Sequence, residues 1–146
     1  MPDPIPLPPH VYVPGKSERH PEDWFDALKA DVIASAPTES RAWEAGLHYF
    51  QAGYFWECHE VLEAVWMALP DGPEREVCQA VIQLANARLK LLMNRPKAAL
   101  RLCEMVHGLL DKHGGNRILE LDVDRLLGWE AGTRENAQKL QKSASN

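Results

Sequence analysis

The sequence lacks the features that mark several large classes of protein. It has three cysteines in 146 residues, and none of them has the paired spacing of a zinc site or a disulfide framework. It also has no glycine-rich phosphate loop, no Walker-type lysine and no serine nucleophile elbow. Because Cys58, Cys78 and Cys103 each lie among apolar residues with helical spacing, we expect reduced, buried thiols in a cytoplasmic protein.

Signals for membrane insertion and export are missing as well. The longest mainly apolar segment, residues 77–93, is interrupted by several polar or charged residues, so it is too polar to be a membrane span. The N-terminal residues lack a basic region followed by an apolar run, and we expect no signal peptide. The formal net charge is −5, and no basic stripe alternates with aromatic residues, so we expect no nucleic-acid partner.

What the sequence does contain is helical periodicity. Apolar residues make up 45% of the chain and recur at helical spacing in segments that proline and glycine separate. No segment has convincing strand alternation. The sequence therefore predicts an all-α bundle of five or six helices with tetratricopeptide-like antiparallel hairpins. The predicted helices begin at Pro21, after Thr38 or Ser40, near Gly53, at Glu74, at Lys97 and after Asp122.

Composition divides the chain into three regions. Residues 1–21 hold seven prolines and are predicted to form an extended leader. We interpret this leader as flexible or draped over the surface, although its apolar residues leave open a strap held on the helical body or on a neighbouring subunit. Those apolar residues are Ile5, Leu7, Val11, Tyr12 and Val13. Residues 22–133 are predicted to be a single helical domain, and residues 134–146 a polar tail that frays.

The helix predicted over residues 53–69 combines an apolar face with one histidine and three glutamates. On a helical projection, His59 borders the apolar face and Glu63 stacks over it one turn later. Glu57 lies on the opposite border, and Glu60 points away from the core. Charges near a core need partners, for which His48, Gln79, Gln83, Asn86 and Arg88 are the candidates. The predicted polar site comprises His48, Glu57, His59, Glu60, Glu63, Gln79 and Gln83.

Two interpretations of this site remain open. In the first, which we favour, Glu63 orients His59 and Glu57 pairs with a cation or caps a neighbouring backbone, so that the network is structural and needs no cofactor. In the second, His48, His59 and Glu63 bind a divalent metal ion in a hydrolase or lyase, with Glu57 or Glu60 as acid/base. Zinc-protease chemistry is disfavoured, because the residue four positions after His59 is Glu63 and not a second histidine.

These residues resemble the signature of the domain-of-unknown-function 309 family. The first block comprises His48, Gly53, Phe55, Glu57, His59, Glu60, Glu63 and Trp66. The second comprises Glu74, Arg75, Gln79, Ile82, Gln83, Asn94 and Ala99. The resemblance covers about residues 42–112. It implies a small all-helical bundle of bacterial or archaeal type, and it implies no particular activity.

The sequence thus predicts a non-enzymatic helical binding or protein-interaction module. Its stacked helix pairs, its tryptophans and its apolar leader favour self-association or a protein partner. We expect no membrane or nucleic-acid partner, and a metal-dependent hydrolase or lyase is the alternative.

Overall fold

The computed structural model describes residues 5–34 and 36–145, and the all-α prediction is confirmed. Pro2 and Pro4 of the predicted leader and Asn146 of the predicted tail lie outside the described residues. The helices are α1 Asp26–Ala34, α2 Arg41–Ala52, α3 Phe55–Ala68, α4 Pro73–Leu92, α5 Pro96–Leu110 and α6 Val123–Ser145. Short 3-10 turns cover Pro37–Glu39 and Asp111–His113, and two short strands are β1 Arg117–Ile118 and β2 Leu121–Asp122.

The chain forms two compact units, one up to Ala68 and one from Leu69 onward. The first unit is built on the α2–α3 hairpin. Helix α2 begins where the Ser40 hydroxyl accepts a hydrogen bond from the Trp43 backbone N–H at 3.3 Å. It ends at Gly53, whose φ of 89° is the left-handed geometry that glycine adopts without a Cβ clash. The hairpin therefore turns within two residues and brings α3 back along α2.

Helix α1 packs on both helices of this hairpin and begins later than predicted. The Trp24 N–H donates to the Pro21 carbonyl at 3.1 Å, and the Asp26 N–H donates to the Asp23 carbonyl at 3.1 Å. These bonds form turns, so Pro21 starts a turn and regular helix begins at Asp26. Phe25, the last residue of this turn, has a buried side chain.

The second unit contains α4, α5 and α6, with α5 packed against both other helices. The Asp122 carboxylate caps α6 as predicted, accepting from the Asp124 N–H at 3.1 Å. The prediction ended this helix before Arg134, whereas it continues to Ser145. The extension follows from a buried stripe at helical spacing, in which Thr133 and Ala137 lie on the same face as Leu126.

The β1–β2 ribbon is the element that periodicity did not predict. Its turn residues Leu119 and Glu120 have φ values of 56° and 61°. Positive φ at both central residues is the geometry of a tight hairpin turn, which Asn-Gly sequences usually signal. A Leu-Glu pair carries no such signal, so sequence reasoning missed the ribbon.

Two further expectations concern burial. The cysteines Cys58, Cys78 and Cys103 are buried thiols, as predicted. Among residues 5–34 and 36–145, no helix has the combined length and apolar character that crossing a membrane would need.

Candidate functional site

The most buried polar contact of the first unit is centred on Glu57. Glu57 lies in the first turn of α3 and is wholly buried. Its Oε2 accepts a hydrogen bond from the backbone N–H of Tyr12 at 2.7 Å. The same oxygen accepts from the His20 ring Nε2 at 2.6 Å, and the His20 side chain is also buried. We call these three residues the clasp, because they attach the leader to the helix hairpin.

A turn in the leader makes this convergence geometrically feasible. The Ser17 hydroxyl donates to the Val11 carbonyl at 2.9 Å and accepts from the Val13 N–H at 2.8 Å. The Lys16 N–H donates to the Val13 carbonyl at 2.9 Å, and Gly15 supplies a φ of 83°. The chain therefore reverses between Tyr12 and His20, so that both can reach the same carboxylate.

Aromatic rings surround the clasp. The His20 ring has the ring of His10 at a centroid distance of 4.5 Å, that of Phe25 at 5.7 Å and that of Trp56 at 6.2 Å. The Tyr12 ring meets Trp56 edge-on at 4.9 Å. Such rings exclude water and lower the local dielectric, which strengthens the charge-assisted hydrogen bonds of the clasp.

The burial of Glu57 has electrostatic consequences. The pKa of Tyr49 is raised to about 12. The larger cause is burial of the phenol, and the smaller is the negative charge of Glu57. Among the described residues, neither His20 Nδ1 nor Glu57 Oε1 has a hydrogen-bond partner, although both atoms are buried. Removing a carboxylate from water costs free energy, so the two hydrogen bonds to Glu57 Oε2 must offset that cost.

A second polar cluster lies on the outer face of α3. His59 Nε2 is 3.0 Å from Glu63 Oε1, and His59 Nδ1 donates to the Trp56 carbonyl at 3.2 Å. The Glu60 carboxylate accepts from the Lys29 ammonium on α1. One donor atom from each of His59, Glu60 and Glu63 lies within 4.8 Å of the other two. This is a set of one imidazole and two carboxylates that could hold a metal ion.

The other residues of the predicted site lie elsewhere. His48 is exposed on α2 with its ring 6.3 Å from that of Tyr49, and the described metal-ligand cluster does not include it. Gln79 and Gln83 are half-buried on α4, in the second unit, where Gln83 Oε1 accepts from Asn86 at 3.3 Å. Projection pointed Glu60 away from the core, and the structure places one of its carboxylate oxygens within 4.8 Å of a His59 ring nitrogen.

Sequence reasoning missed three contact partners of Glu57 and Glu60, namely Tyr12, His20 and Lys29. It anticipated that Glu57 would pair with a cation or cap a backbone, and Glu57 contacts both an imidazole and a backbone N–H. The partners of Glu57 were expected on neighbouring helices, whereas Tyr12 and His20 lie in the leader. His20, next to Pro21 at the end of the leader, was the available signal, while a backbone donor such as that of Tyr12 leaves no trace in sequence.

Residues 43–102 match the model of a family described as Domain of unknown function (DUF309). These residues belong to the DUF309 family. The DUF309 region contains the glutamate of the clasp and all three residues of the α3 cluster, while Tyr12, His20 and Lys29 lie outside it. Comparisons with curated proteins and with solved structures found no match. The family description assigns no activity.

Proposed function

We propose that the chain is a non-enzymatic binding module whose α2–α3 hairpin holds an extended, proline-containing peptide segment. The observation that supports this proposal is the convergence of the Tyr12 backbone N–H and the His20 ring on the buried Glu57 carboxylate. In the structure the bound segment is the chain's own leader. These contacts support the strap interpretation of the leader, although Leu7 is 41% exposed.

Two physical features suit the hairpin to this role. First, Glu57 contacts a main-chain donor, a contact that any extended segment with a free N–H can supply. Second, prolines restrict the unbound segment to extended conformations, which lowers the entropy lost when it binds. The contact of Tyr12 with Trp56 then adds selectivity for an aromatic residue next to the main-chain bond.

The partner that follows most directly is a second copy of the chain. An identical leader offers the same donors, so exchange of leaders between two copies would produce a homo-oligomer without a new interface. The buried thiols suit a reducing compartment, and we propose a cytoplasmic location.

The test uses a chain whose own clasp has been opened. The double variant Tyr12→Pro/His20→Ala lacks both the backbone donor and the imidazole, so the leader no longer donates these two hydrogen bonds to Glu57. A synthetic peptide with the sequence of residues 5–21 should then bind and raise the melting temperature, because a ligand that binds only the folded state stabilises it. The wild-type chain should respond far less, since its tethered leader competes at an effective concentration of the order of millimolar.

A control peptide carries the same two substitutions, proline for Tyr12 and alanine for His20. It should leave the melting temperature of the double variant unchanged. Equal responses to the two peptides, or no response from a variant that circular dichroism shows to be folded, would refute the binding function.

A metal-dependent hydrolase or lyase is the second candidate, and the α3 cluster is the observation that favours it. An ion held there would polarise a carbonyl or activate a water molecule. Glu60 would replace His48 as the third ligand. Turnover of ester or phosphoester substrates that requires added metal and disappears in His59→Gln would support this candidate, and turnover unaffected by that substitution would reject it.

A further inference from the structure

The second unit contains a cavity between α5 and α6, which we call the α5–α6 cavity. It has a volume of about 520 Å³ and is open to solvent. Helix α5 contributes Leu100, Glu104 and His107, which lie four and three residues apart and therefore share one face of the helix. Helix α6 contributes Arg134 and Gln138, one turn apart. Cavities that hold small molecules have volumes of roughly 300–1,000 Å³, so this one is large enough for such a ligand.

A buried carboxylate orients the guanidinium of Arg134 at this cavity. Nη2 of Arg134 donates to Oε1 of Glu130 at 2.7 Å, one turn earlier on α6. Glu130 is 1% exposed, whereas the Arg134 side chain is 37% exposed. A guanidinium has five N–H donors, so the hydrogen bond to Glu130 leaves others for a ligand.

The same pair of side chains also points to a missing polar partner. Among the described residues, neither Arg134 Nε nor Glu130 Oε2 has a hydrogen-bond partner, although both atoms are buried. Buried polar atoms in folded proteins nearly always have a partner, so this exception calls for a polar group from outside the chain. Arg134 lines the cavity, and a ligand bound there could supply that group.

The lining carries charges of both signs. At neutral pH the Glu104 carboxylate is negative and the Arg134 guanidinium is positive. Nε2 of His107 is 3.9 Å from Asp111 Oδ1, which is longer than a hydrogen bond, so the ring can donate to a ligand instead. Leu100 adds an apolar surface to this lining. The matching ligand therefore has a carboxylate, an ammonium and an apolar group.

We propose that the α5–α6 cavity binds a small zwitterion that combines these three groups, the chemistry shared by apolar amino acids and dipeptides. The planar guanidinium of Arg134 matches the geometry of a carboxylate. Glu104 holds the ammonium, and Leu100 contacts the apolar side chain. A simple anion fits less well because Glu104 repels it, and Arg134 in turn repels a simple cation.

This proposal goes beyond the binding of a peptide segment by the first unit. No residue of the leader or of the α2–α3 hairpin is among the lining residues. Of those residues, Leu100 alone lies within the match to the DUF309 family, and the other four follow it in the sequence. The cavity is thus a feature of the second unit that the family match does not cover.

The experiment is isothermal calorimetry of the full-length chain at neutral pH with L-leucine and with leucyl-leucine. The amide of each compound lacks the carboxylate, and the N-acetyl form lacks the ammonium. We expect one zwitterion to bind per chain, and the tighter of the two identifies the source. Its amide and its N-acetyl form should each bind at least roughly tenfold more weakly, equivalent to about 1.4 kcal/mol.

Two variants assign the two charges to residues. Glu104 is exposed, so Glu104→Gln should leave the fold intact, weaken zwitterion binding roughly tenfold and not weaken binding of the N-acetyl form. Arg134→Lys keeps a cation beside Glu130 but loses the planar fork, so it should weaken zwitterion binding and leave binding of the amide unchanged. The matched control Glu135→Gln removes an exposed carboxylate of α6 that pairs with Lys139, and it should leave the affinity unchanged.

Circular dichroism melting curves establish that each variant is folded, and Glu104→Gln decides alone if Arg134→Lys is not. Failure of both zwitterions to bind the wild-type chain at millimolar concentrations would overturn the proposal. Equal affinity for a zwitterion and its two singly charged forms would do the same. Equal weakening by Glu104→Gln and Glu135→Gln would mean that the ligand binds outside the α5–α6 cavity.

Discussion

Replacing Glu57 by alanine should strongly destabilise the first unit. The substitution removes the acceptor of two hydrogen bonds, from the Tyr12 N–H and from His20. Hydrogen bonds to a charged group contribute about 1.5–3 kcal/mol each. Relief of the buried charge offsets part of this loss, while His20 is left buried without its partner. Removing one member of a buried pair typically costs about 3–5 kcal/mol, and we expect a value in that range.

Urea denaturation measures this loss, with the transition followed by tryptophan fluorescence because Trp24 and Trp56 lie near the clasp. The matched control is Glu63→Ala on the same helix. Glu63 is 52% exposed and forms an ion pair with His59, one helical turn away. Removing its carboxylate should therefore lower the free energy of unfolding by about 0.3–0.5 kcal/mol. Similar losses for the two variants, or a loss below about 1 kcal/mol for Glu57→Ala, would show that the clasp does not stabilise the fold.

Two other predictions follow from packing and ionisation. A Cβ added at Gly46 would lie 2.2 Å from Leu62 Cδ2, so Gly46→Ala should lower the free energy of unfolding by about 1–2 kcal/mol after the gain in helix propensity. Gly132→Ala, which meets no atom within 4 Å, should raise it by up to about 1 kcal/mol; urea titration of both tests this contrast. The raised pKa of Tyr49, about 12 against 10 when unfolded, contributes stability below pH 10 that is lost as pH rises to 12. Tyr49→Phe should therefore lose less stability over that interval, and parallel pH profiles of the urea midpoint would contradict the assignment.

Helix positions in this chain follow closely from local sequence. Ser40 as a cap, Gly53 as a stop and Pro73 at the start of α4 each act within a few residues, so their effects can be predicted without tertiary structure. The pairing of His59 with Glu63 is equally local, since both residues lie one turn apart on the same helix. Errors arose where distant burial decided the outcome, as in the extension of α6 past Arg134.

The clasp could not be predicted for a different reason. Glu57 accepts hydrogen bonds from Tyr12 and His20, which lie 45 and 37 positions away in the sequence. The donor of Tyr12 is its backbone N–H. Periodicity describes which face of a helix is buried, but it does not identify the segment that covers that face. Extended segments resemble one another in their main chain, and this is the basis on which we propose peptide binding by the α2–α3 hairpin.

The amide hydrogen exchange rate of Tyr12, measured by nuclear magnetic resonance in the wild-type chain and in Glu57→Gln, tests the central claim most directly. If the clasp holds the leader on the hairpin, this amide is protected in the wild type, and it exchanges at least roughly tenfold faster in the variant because a charged acceptor is lost. Amides within α5 should keep their wild-type rates. A Tyr12 amide that exchanges at the unprotected rate in the wild type, or equally slowly in both proteins, would contradict the claim.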